Sequence, residues 1–166
     1  QHLEQLVQLD EYSFQAYTYL GLAHYQAGQV EAARSTMKRA HQLNPVYVET
    51  LVNIAVLEWE HGDPEDALYY LEKAAELEPD NKDVIVNTGI MYAQTGNPEA
   101  GIRLLRDFLA LNPLDQDAAS SLADLLIETG DVDAARELAG QMLALDSQFP
   151  LAQAILETIR EQKEQE

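Results

Sequence analysis

Residues 14–47 read FQAYTYLGLAHYQAGQVEAARSTMKRAHQLNPVY, and this stretch decides the fold because its pattern returns three more times at one interval. Gly28, Gly62, Gly96 and Gly130 stand 34 residues apart, and Pro45, Pro79 and Pro113 keep the same step, with Ser147 at the fourth turn. A fixed period of this length is the signature of a stacked helical array. Within the stretch, Tyr17, Leu20, Gly21, His24 and Tyr25 recur at spacings of three and four, which puts them on one stripe of a helix, helix A. Ala33, Met37, Ala40 and Leu43 form the stripe of a second, helix B. Gly28 between them can take the left-handed backbone that ends a helix, and Pro45 after Asn44 stops helix B by withholding an amide. In later units Asp63-Pro64 and Asn97-Pro98 set a capping side chain before a first-turn proline.

Small residues hold two positions of the period: Gly21, Ala55, Gly89 and Ala123 at one, and Ala33, Ala67, Gly101 and Ala135 at the other. They predict close approach of helix A to helix B. One such pair buries too little to fold alone, so stacking on a neighbour must supply the difference.

The set Tyr17, Leu20, Gly21, Tyr25, Gly28, Ala33, Ala40, Leu43 and Pro45 resembles the tetratricopeptide repeat. The resemblance implies an all-α, right-handed superhelical solenoid of helix-turn-helix repeats. It assigns residues 14–47, 48–81, 82–115 and 116–149 to four repeats. Residues 1–13, with Leu3, Leu6, Val7 and Leu9, read as half a repeat, helix B only, and residues 150–166 as a C-terminal capping helix. The chain starts without a methionine and is expected to be a piece of a longer one. The half repeat leaves an apolar face, through which the fragment is expected to self-associate. Departures from the family pattern are local. Thr88 replaces a large apolar residue, Glu58 stands where an aromatic is usual, and Phe108 and Met142 stand where alanine is usual. The last two, near Gly101 and Ala139, are expected to be volume-conserving exchanges. Glu58 is expected at a rim or bonded to a neighbour such as His24.

Composition narrows function. A net charge of −19, with ten Lys and Arg, argues against nucleic acid and anionic membranes, which draw on basic clusters. No run approaches the roughly 20 apolar residues of a membrane span. The acids keep an elongated surface soluble or attract a basic partner, and both readings stand. With no cysteine, disulfides and thiolate chemistry are excluded. The histidines, His2, His24, His41 and His61, fall in four separate elements without the i, i+4 pairing of a helical metal site. No phosphate loop or nucleophile elbow occurs, so no catalytic residue, metal or cofactor is expected.

The resemblance also implies a concave groove lined by the A helices. Carried onto this chain it comprises Tyr19, Leu22, Glu49, Val52, Asn53, Val56, Trp59, Glu60, Asp83, Val86, Asn87, Ile90, Asp117 and Asp124. No lysine or arginine is among them, which removes the clamp that some family members use on a peptide's terminal carboxylate. Asn53 and Asn87, at one place in consecutive repeats, carry both donor and acceptor and suit a peptide backbone, as asparagines do in peroxisomal import receptors. Local hydrogen bonding is the competing use. Trp59 fits a groove anchor or an inter-helix filler. The expected partner is a protein or peptide segment, apolar with basic residues. The alternatives are a structural spacer or self-assembling array that uses repeat ends and convex faces, and a recruiting or regulatory arm of a larger enzyme.

Overall fold

The computed structural model describes residues 2–165, all-α in architecture. Gln1 and Glu166, the outer ends of the expected half repeat and cap, lie outside them. The helices are α1 (His2–Leu9), α2 (Phe14–Gln26), α3 (Val30–Leu43), α4 (Val48–His61), α5 (Pro64–Leu77), α6 (Lys82–Gln94), α7 (Pro98–Leu111), α8 (Gln116–Glu128), α9 (Val132–Leu145) and α10 (Pro150–Gln165). The even-numbered helices α2 to α8 are the A helices, and α3 to α9 their B partners.

Turn chemistry sets the boundaries. Ser13, Asp115 and Asp131 accept the amides of Ala16, Ala118 and Ala134, and Asn97 accepts that of Ala100. Asp63 accepts from Glu65 N at 2.8 Å. Each side-chain oxygen satisfies an amide that has no partner within its own helix. Gly28, Gly96 and Gly130 take φ of 72°, 89° and 81°. Gly62 departs from this pattern, with φ −139°. Its reason for being glycine is different: a Cβ there would run into the Glu58 carboxylate, which lies over it.

The chain divides into two compact units, one ending at Asn87 and the other starting at Thr88. In the first, Gly21 lets α2 settle onto α3; a Cβ would stand 2.5 Å from Met37 Cγ. Ala33, Met37, Ile54 and Leu57 form one buried cluster, with Leu22, Tyr25, Val30 and Tyr70 packed against it. Val48, Leu51, Ala74 and Val84 form another.

In the second unit the α6 residue Gly89 meets α7 at Gly101, where a Cβ would strike the Gly89 backbone. Gly101 is therefore small for helix approach, which is reason enough without any exchange of volume with Phe108. Leu105, Leu122, Leu126, Ala135, Ala139 and Met142 are buried beyond it. Phe149, Ala152, Ile155 and Ile159 anchor the entry and apolar face of α10.

Candidate functional site

Four expected groove residues of the first unit meet in one open recess of about 440 Å³ at the start of α4: Glu49, Val52, Asn53 and Asp83. Tyr47, Val48, Glu78 and Asn81 complete it, and sequence reasoning missed all four. A signal existed, because Tyr47 and Asn81 share the period's N-cap position with Ser13 and Asp115. Asn81 performs that role, accepting from Asp83 N at 2.9 Å and Val84 N at 3.3 Å. Its own amide donates to Glu78 at 2.7 Å. Tyr47 does not cap; its hydroxyl turns to Glu49 at 2.5 Å. That bond, with burial and the Glu49 charge, raises the Tyr47 phenol above its ordinary range.

Tyr19, 43% exposed on α2, donates its hydroxyl to the same Glu49 oxygen at 3.5 Å. The Tyr25 hydroxyl donates to Glu60, which also stands 3.6 Å from His61 Nε2. The hydrogen bond, then burial and the Glu60 charge, push the Tyr25 phenol up to about 12. Two of the acids expected in a groove are therefore already hydrogen-bonded acceptors, Glu49 to Tyr47 and Tyr19 and Glu60 to Tyr25.

The amide of Asn87 donates to the Asp83 carbonyl at 2.7 Å, a local use of the amide within its own helix. The Asn53 side chain makes no hydrogen bond among the described residues. Leu22, Val56, Trp59, Val86 and Asn87 are half-buried on their A helices and, with Glu60, lie outside the recess lining. Ile90, Asp117 and Asp124 belong to the second unit. There Ile90 is half-buried and both acids are exposed, with the Asp124 carboxyl raised by desolvation.

Glu58 corrects an expectation. It lies at 2% exposure, neither at a rim nor on His24, whose ring bonds Gln29 at 2.6 Å. Its carboxylate faces two cations of α3, Arg34 at 3.3 Å and Lys38 at 3.7 Å, and Arg34 also donates to the His61 carbonyl at 3.0 Å. A carboxylate this deep is tolerable only because it is paired.

What the recess can do chemically is accept. Its carboxylates and amide oxygens suit N–H donors and positive charge, beside the apolar Val48 and Val52. Among the described residues no three acids or histidines converge as metal ligands, and no helix is long and apolar enough to cross a membrane.

Family models described as Tetratricopeptide repeat match the chain, one over residues 58–107 and 92–159, another over 14–45. No curated protein matches it in sequence. Among solved structures it is similar to TTC0263, a thermophilic TPR protein of Thermus thermophilus, at 22% identity and TM-score 0.74, covering 93% of this chain and 87% of that one. YrrB, a TPR protein described as having an unusual peptide-binding site, aligns at 16% identity and TM-score 0.72 over 99% and 84% of the two chains. MamA aligns at 23% identity and TM-score 0.69, over 90% and 82%. Periodic turns, small residues at the helix contacts and matching family models over most of the length lead to one statement: the chain belongs to the tetratricopeptide repeat family.

Proposed function

We propose that the chain is a non-catalytic scaffold that holds a partner's apolar, base-bearing segment against its A helices. The repeat fold supports protein–protein interaction as the general role. The finer reading rests on the recess at the start of α4, where Val48 and Val52 lie beside Asn53 and three carboxylates. Asn53 holds the partner's backbone, the valines bury an apolar side chain, and Glu49, Glu78 and Asp83 receive a lysine or arginine. The peptide-binding site described for YrrB supports a peptide as the ligand class. The test is selection from a random peptide display library. Enrichment of apolar, basic sequences, with affinity reduced about tenfold or more by Asn53→Ala, is expected. A library without enrichment, or peptides indifferent to that change, refutes the reading.

A second reading, self-association, is favoured by Leu6 and Leu9 on α1, which are 50% and 85% exposed. Sedimentation equilibrium decides it: a mass that rises with concentration, and stops doing so in Leu6→Gln/Leu9→Gln, makes α1 an interface between copies.

A further inference from the structure

The crevice between consecutive B helices occurs in both units with different contents. In the first unit aromatic rings meet in it. The rings of His41 and Tyr70 meet edge to face with centroids 5.6 Å apart, Tyr69 packs on Tyr70 at 5.3 Å, and buried Glu58 lies with Arg34 and Lys38. Two repeats further on, Leu109 stands for His41, Leu138 for Tyr70, Leu126 for Glu58 and Ile102 for Arg34. These four places have become aliphatic, while Arg106 keeps the charge of Lys38 and Glu137 replaces Tyr69. Between α7 and α9, over α8, the second unit accordingly has an open recess of about 430 Å³. Leu109, Leu122, Leu126 and Met142 form its buried floor, and exposed Leu145 and Pro113 belong to its wall.

Its rim is also distinctive in a chain of net charge −19. Arg106 lines the recess, and Arg103 lies one turn before it on α7. Neither forms an ion pair among the described residues, although Glu99, Asp107 and Asp131 border the outer side of the same turn. On the opposite wall Glu137 accepts the Gln141 amide at 3.2 Å and keeps its negative charge. An incoming carboxylate therefore finds a guanidinium whose charge is not already paired.

We propose that the recess between α7 and α9 is a second docking site, for a partner segment that inserts one aromatic side chain and sets a carboxylate beside Arg106. At the corresponding place in the first unit the chain itself supplies aromatic rings, His41 and Tyr70. Aromatic groups in apolar pockets are the usual anchors of protein interfaces, and charge complementarity at the rim selects among them. The site is independent of the A-helix recess and takes the opposite charge.

The probe is a fluorescein-labelled peptide with one tryptophan flanked by aspartates, compared with versions carrying serines or lysines in their place. Saturable binding of the aspartate peptide is expected, weakened about tenfold or more by Leu109→His/Leu138→Tyr, which rebuilds the first unit's ring pair. Gln141→Phe closes the mouth without touching the floor and should act likewise if the double variant folds poorly. Arg106→Glu should weaken the aspartate peptide by about fivefold or more and leave the serine peptide unchanged. Asn53→Ala should have no effect, which separates this site from the A-helix reading. Binding that survives both filling variants, a lysine peptide that binds as well, or no saturation would overturn the proposal. So would self-association of the protein abolished by Gln141→Phe, since the occupant would then be a second copy, through its exposed Tyr12 and the neighbouring Asp10 and Glu11.

Discussion

Single side chains carry two liabilities that experiment can read directly. The Tyr25 phenol is raised to about 12 by its bond to Glu60, by burial and by the Glu60 charge, so the fold favours its neutral form. The stability this contributes is present below the unfolded value of about 10 and is lost as pH rises toward about 12. Phenolate absorbance should show Tyr25 titrating late, and Glu60→Gln should bring it back toward the ordinary tyrosine range. An unchanged titration in that variant would mean Glu60 is not the cause. Thr88 is the second liability. It is 6% exposed in a place where its repeat equivalents are Leu20, Ile54 and Leu122, and its hydroxyl has no hydrogen-bond partner among the described residues. A buried, unmet hydroxyl costs about 1–3 kcal/mol. Thr88→Val keeps the shape and removes that group, so urea unfolding should show a gain of about 1 kcal/mol. A loss would reveal a partner for the hydroxyl.

Between helices, the contact to test is α3 on α4 through Arg34, Lys38 and Glu58. Arg34→Met leaves a carboxylate at 2% exposure with only the more distant, half-exposed Lys38, and should destabilise by about 3 kcal/mol. Adding Glu58→Leu, the residue present as Leu126 two repeats on, should recover most of that loss. A double variant as weak as the single one would mean the carboxylate is not what makes Arg34 necessary. This cluster also marks the limit of what the sequence reveals. The helices were legible because their signals are local: Gly28, Gly96 and Gly130 at positive φ, Asp63, Asn97 and Asp131 as caps, and apolar stripes at helical spacing. Gly21 and Gly89 were legible as helix contacts because the period put Ala33 and Gly101 opposite them. Glu58 was not. Its partner lies on the preceding helix, and nothing near it in sequence separates Arg34 from His24 as its neighbour. The site was half legible for the same reason. Tyr19, Glu49, Val52, Asn53 and Asp83 follow from repeat position, whereas Tyr47 and Val48 enter at the start of α4, Glu78 and Asn81 through the α5–α6 turn, and the bond from Tyr19 to Glu49 spans 30 residues.

For the molecule as a whole the governing quantity is a net charge of −19. Several acids serve the fold itself, Asp63, Asp115 and Asp131 as caps and Glu58 in its ion pair, yet the excess remains large and must repel itself. Salt should therefore act in opposite directions on folding and on recognition. Between about 20 mM and about 500 mM sodium chloride the screening length falls from about 20 Å to about 4 Å. Repulsion among surface acids weakens, so Tm should rise, each ~1 kcal/mol relieved appearing as about 2–4 °C. The same screening weakens the attraction of a basic peptide to the acids near α4, and its Kd should increase as Tm climbs. The aspartate peptide at the α7–α9 recess has two electrostatic contributions of opposite sign, attraction to Arg106 and repulsion from the rest of the chain, so its Kd should move least. Differential scanning fluorimetry and peptide titrations on one salt series make all three measurements. If Tm fell with salt, net repulsion would not be the dominant surface effect and the ion pairs of α3 and α4 would outweigh it. If the basic peptide kept its affinity throughout, the carboxylates near α4 would be serving the fold through Tyr47, Tyr19 and Asn81, and recognition there would rest on Val52 and Asn53 alone.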